Sequence, residues 1–97
     1  MNMHINKVIY LRIREMFHAT NGRMAANMGV SVETAREYGH PSKNRKPSIE
    51  RLRMAVIGFG KEFTEIQEES GLPASMSKAD LENFADGLLE KLKLAAA

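Results

Sequence analysis

The chain has 97 residues, 43% of them apolar, with a net charge of +2 and no cysteine. That length supports one domain with a modest core, and the apolar content argues against disorder. The lack of cysteine excludes disulfides, thiolate catalysis and thiolate metal sites, and it agrees with a reducing cytoplasm. The charge is unevenly spread: residues 1–60 hold ten Lys/Arg against four acids, and residues 61–97 hold four Lys against eight acids. A basic front predicts a polyanionic partner for that part, the bland alternative being a chance fluctuation of surface charge. No apolar run approaches the ~20 residues of a membrane span, and the N-terminus lacks the pattern of a secretory signal.

Residues 3–18 carry Ile5, Ile9, Ile13 and Met16/Phe17 at the spacing of one helix face, with Asn2 or Asn6 as candidate caps. The run Val8–Ile13 is rich in β-formers, but the apolar face continues to Phe17, which selects helix over strand. A turn at Thr20-Asn21-Gly22 leads to a second helix, Gly22 to Met28, with Met24, Ala25 and Met28 inward. Gly29 suits a left-handed helix end, Val30 points to the core, and Ser31 is an N-cap for a third helix with Ala35 and Tyr38 inward. The stretch Gly39–Pro47 reads as a loop. Ser48 caps a fourth helix from Ile49 to about Phe59, which Gly58 and Gly60 weaken. A fifth, Lys61 to Ser70, offers Phe63 and Ile66 to the core. Ser77-Lys78-Ala79-Asp80 resembles a capping box. The apolar residues Leu81, Phe84, Ala85, Leu88, Leu89 and Leu92 then recur at helical spacing.

Ala25, three residues, then Gly29-Val30-Ser31, with Ala35 and Tyr38 at the next core positions, resembles the helix-turn-helix of phage repressor/Cro-type (XRE-like) regulators. Arg45-Lys46-Pro47-Ser48-Ile49-Glu50-Arg51-Leu52 is similar to the loop and the start of the fourth helix in that family. The resemblance covers about residues 5–60. Asn21-Gly22-Arg23 stands where the family often has Thr-Gln or Ser-Gln, Tyr38 replaces a common Trp, and Gly39 follows where an acid is usual. The resemblance implies an all-α, lambda-repressor-like bundle of about five helices plus a C-terminal amphipathic helix for dimerisation. The expected divisions are a DNA-binding domain over 1–70, a linker over 71–76, a dimerisation helix over 77–94 and a tail over 95–97. It further implies a cytoplasmic, nucleoid-associated regulator of bacterial or phage type, whose partner is double-stranded DNA, bound as a homodimer at a near-palindromic site.

Contacts with DNA divide into positioning and reading. Asn21, Arg23, Lys43, Arg45 and Lys46 are the phosphate candidates, and Val32, Glu33, Thr34 and Arg36 the base-edge candidates. Val32 or the Thr34 methyl suits a thymine methyl, Arg36 a guanine, and Glu33 a cytosine amino group. The alternatives are an ion pair of Arg36 with Glu33 or Glu37, and solvated carboxylates on the helix face. Leu81, Phe84, Leu88, Leu89 and Leu92 are the dimerisation candidates, against packing within one protomer. The histidines have no metal-ligand spacing, and no nucleophile–base arrangement or phosphate-binding glycine loop is present, so no enzyme, metal or cofactor is expected. The rival from another class is a protein-binding module, an antirepressor or antitoxin that uses the same scaffold to hold another regulatory protein.

Overall fold

In the computed structural model, which describes residues 3–71 and 76–96, helix α1 spans Ile5–Met16 and buries Ile9, Tyr10 and Ile13. Its cap is His4, whose ring nitrogen accepts the Asn6 amide at 3.1 Å. Asn6 instead donates its side-chain amide to the Pro47 carbonyl at 2.9 Å, and the other candidate cap, Asn2, lies outside the described residues. The chain leaves α1 through His18 at φ 49°. Helix α2, Asn21–Met28, begins one residue earlier than the sequence suggests, because the Thr20 hydroxyl caps it by accepting the Arg23 amide.

Gly29 (φ 69°, ψ 34°) closes α2 in the left-handed conformation, and three residues later α3, Val32–Gly39, starts from Ser31. The Ser31 hydroxyl accepts the Thr34 amide at 3.1 Å. Ala35 and Tyr38 are buried, and Val30 packs against the core from the turn.

Helix α4 runs unbroken over Ile49–Glu69 from its Ser48 cap, 21 residues that merge the two helices expected on either side of Gly58 and Gly60. Those glycines are points of close approach. A Cβ on Gly58 would overlap the Asn27 side chain of α2, and one on Gly60 would lie 2.5 Å from Leu81 Cδ2. The cost of glycine within a helix, about 1 kcal/mol each, is offset by letting two helices pack directly on the α4 backbone. The expectation that Phe63 and Ile66 face the core is corrected: they are 58% and 61% exposed. They border a shallow groove of about 160 Å³ with Phe17, Arg23 and Phe59.

Helix α5 spans Lys78–Ala96 and so takes in residues 95 and 96 of the expected tail. Residues 72–75 of the expected linker, and residue 97, lie outside the described residues. The capping box is formed: Asp80 N donates to Ser77 Oγ at 3.2 Å and Ser77 N donates to Asp80 Oδ2 at 3.1 Å. α5 lies antiparallel to α4, with Leu81 at Gly60, Asp86 bonded to Arg53 at 2.8 Å, and Leu89 near Ile49. Ala85 and Leu89 join Ile9, Met24, Ala35 and Val56 in one core, to which all five helices contribute. Among the described residues there is no strand, and no helix is long and apolar enough to cross a membrane.

Gly60→Val therefore wedges α5 away from α4. Urea denaturation is expected to show a loss of about 1–3 kcal/mol, the range for overpacked cores, despite the better helix propensity of valine.

Candidate nucleic-acid interface

The surface built by α3 and the loop after it starts from the burial of one helix face. Ala35 and Tyr38 go inward, and the Tyr38 ring meets Tyr10 edge-on at 5.9 Å and 72°. Val32, Glu33 and Arg36 are left exposed, with Thr34 and Glu37 half-buried along the flank. The four base-edge candidates thus share one accessible surface. The turn beneath it is braced from α4: Arg51 Nη1 donates to the Met28 carbonyl at 2.6 Å, satisfying a carbonyl at the end of α2. A Cβ on Gly29 would lie 3.1 Å from that same nitrogen.

Both α3 acids are engaged with arginines. Glu33 Oε2 accepts from Arg36 Nη1 at 2.8 Å, one of the alternatives weighed for Arg36. Glu37 Oε2 pairs with Arg45 Nε at 3.2 Å. Arg45 Nη1 also donates to Thr34 Oγ1 at 2.9 Å, and the same oxygen accepts from the Ser31 hydroxyl at 2.9 Å. Arg45 therefore lies across α3, although its backbone belongs to the loop.

Loop and helix are held in register by Lys7, a residue for which the sequence offered no role. It is 3% exposed, and its ammonium donates to the carbonyls of Glu37 and Arg45, each at 2.7 Å. Burial pushes its pKa below the usual lysine value, and the Glu37 carboxylate partly restores it. A lysine on the apolar face of α1, spaced 7, 9, 10, 13 with buried residues, was the only available signal.

The phosphate candidates divide. Lys43 and Lys46 have exposed amines without a hydrogen-bond or ion-pair partner among the described residues, and they border a cleft of about 300 Å³ with His4 and Lys7. Arg23 is committed to α4 instead, paired with Glu62 and placed 5.2 Å over the Phe59 ring. Phe59 itself stacks on Phe17 at 4.8 Å. Asn21 is likewise tied inward, its Oδ1 accepting the Tyr10 hydroxyl at 2.8 Å and Arg14 Nη1 at 2.9 Å. Of the dimerisation candidates, Leu81 and Leu89 are buried in the protomer itself, Leu88 and Leu92 pack partly against the core, and Phe84 is 44% exposed. No group of metal-ligating side chains is found among the described residues. No family model, curated protein or solved structure matches the chain.

Lys7→Met removes the donor to two carbonyls, of which, among the described residues, only that of Glu37 keeps another, the His40 amide at 3.1 Å. A loss of about 1–3 kcal/mol is expected, with hydrogen exchange accelerated in the 39–47 loop more than in α2. Tyr10 gives an alkaline signature. Burial, opposed by Arg14 and aided by Tyr38, pushes its phenol up to about 12. An unfolded tyrosine ionises near ~10, so between these values the unfolded chain holds fewer protons and stability falls as pH rises. Lys7 acts oppositely below about 10.4, where the unfolded chain holds more protons. Tyr10→Phe is expected to cost about 0.5–1.5 kcal/mol at neutral pH and to flatten the decline above pH ~10 in urea titrations.

Proposed function

We propose that the chain is a sequence-specific, double-stranded DNA-binding transcription regulator of the repressor/Cro type. In this reading α2, the Gly29–Ser31 turn and α3 form a helix-turn-helix, and α3 enters the major groove. The observation that carries it is the division of α3. Ala35 and Tyr38 anchor one face, while Val32, Glu33 and Arg36 stand exposed on the other, directly before a loop whose Lys43 and Lys46 amines have no partner among the described residues. Lys43 and Lys46 serve phosphates; Val32, Thr34 and Arg36 serve base edges. One such helix reads only a few base pairs, so two protomers act together on a near-palindromic site. Among the apolar residues left exposed, Phe84 and Leu94 on α5 and Phe63 and Ile66 on α4 support pairing of copies.

A second reading, a protein-binding module such as an antirepressor or antitoxin, is favoured by one observation. The pairs Arg36–Glu33 and Arg45–Glu37 neutralise most of the charge on α3 itself.

Selection of bound duplexes from a random pool, followed by salt titration, separates the two readings. Enrichment of a near-palindromic sequence is expected, with log K falling linearly against log salt. Unenriched pools and salt-insensitive binding would sink the DNA reading. Lys46→Ala is expected to weaken binding to all duplexes alike and to shallow the salt slope by about 1. Arg36→Ala should instead relax preference at one base pair by roughly 1–3 kcal/mol.

A further inference from the structure

We infer that Arg45, although carried by the loop, reads a guanine base edge together with α3, and that Glu37 is the positioning residue that aims it. The inference rests on the DNA-binding reading and revises the role of this arginine from phosphate contact to base reader.

Three observations converge on it. The backbone is fixed at both ends of the pair, because the Lys7 ammonium bonds the carbonyls of the same two residues, Glu37 and Arg45, at 2.7 Å each. The side chains are then joined directly, Arg45 Nε to Glu37 Oε2 at 3.2 Å and Arg45 Nη1 to Thr34 Oγ1 at 2.9 Å. An exposed ion pair alone orders little. Here the buried ammonium holds both main chains and a hydroxyl supplies a second anchor. Finally, a guanidinium has five N–H donors. One Nη1 hydrogen is used by Thr34 and Nε faces Glu37, which leaves Nη2 and the other Nη1 hydrogen to offer a forked pair to guanine O6 and N7.

The neighbouring carboxylate decides between phosphate and base. Glu37 beside the guanidinium repels a phosphate, whereas the guanine edge carries two neutral acceptors. The same logic extends to Arg36, whose Nη1 bonds Glu33 Oε2 at 2.8 Å, so that Nε and Nη2 stay available. Acids on a helix facing a polyanion are accounted for as holders of arginines. Each half-site is then expected to contain two guanines, one for each arginine.

The test uses the duplex that the wild-type chain selects, its single-base variants and a scrambled duplex, with Arg45→Lys and Glu37→Gln as the altered proteins. Arg45→Lys keeps the charge but loses the fork. The expected result is a roughly tenfold or greater loss of discrimination at one guanine of each half-site, while the salt slope, set by the retained charge, stays at the wild-type value. Glu37→Gln should lower preference at that same guanine by severalfold without weakening scrambled-duplex binding. If both variants keep the wild-type discrimination at every guanine, with or without a uniform change in affinity, Arg45 does not read a base and the inference fails alone. If the wild-type chain shows no salt-sensitive duplex binding, the underlying reading fails and takes the inference with it. Urea midpoints near wild type establish that both variants are folded.

Discussion

The buried ammonium of Lys7 is the constraint on which the arrangement of the exposed surface depends. It sits on α1 and reaches the last turn of α3 and the middle of the following loop, 30 and 38 residues away along the chain. Removing a charge from water is costly unless its donors are satisfied. Main-chain carbonyls meet that need here, one of them near the end of a helix whose dipole favours a cation. Where the backbone of Arg45 lies is therefore a consequence of an interior interaction. The side chain follows from that placement, crossing to Thr34 and Glu37.

A second constraint mounts the α2–α3 unit on a rigid support. α4 is long, roughly 32 Å at 1.5 Å per residue, and its two central glycines admit α2 on one side and α5 on another. Arg51 then ties the end of α2 to α4 through the Met28 carbonyl. The turn at Gly29 is fixed from within by its left-handed backbone and from outside by this arginine. Such a support leaves α3 free to present a face without distortion of the turn below it.

The acids on α3 are the point where the two functional readings meet. As free charges, Glu33 and Glu37 argue against approach to a phosphate backbone. As partners of Arg36 and Arg45 they become part of the geometry of those arginines. The exposed amines of Lys43 and Lys46 lie outside these pairs, which keeps positioning and reading on separate residues in the proposed mechanism.

The sequence alone determined those features that depend on neighbours three or four positions away. The caps at Ser31, Ser48 and Ser77/Asp80, the left-handed end at Gly29 and the buried face of Ala35 and Tyr38 all follow from local hydrogen bonding and helical period. Tertiary structure decided whatever needed a distant partner. It made Gly58 and Gly60 contact points within one helix, left Phe63 and Ile66 exposed, and placed Leu81 and Leu89 in the protomer core. It also tied Asn21 to Tyr10, laid Arg23 along α4 against Glu62 and assigned Lys7 to the loop. Glycine within a helix has the same local signature whether it breaks the helix or admits a neighbour. An arginine or lysine has enough reach to choose among several partners. Only the packing of α1, α4 and α5 brings one partner within hydrogen-bond distance, and the spacing of residues along the chain carries no record of that choice.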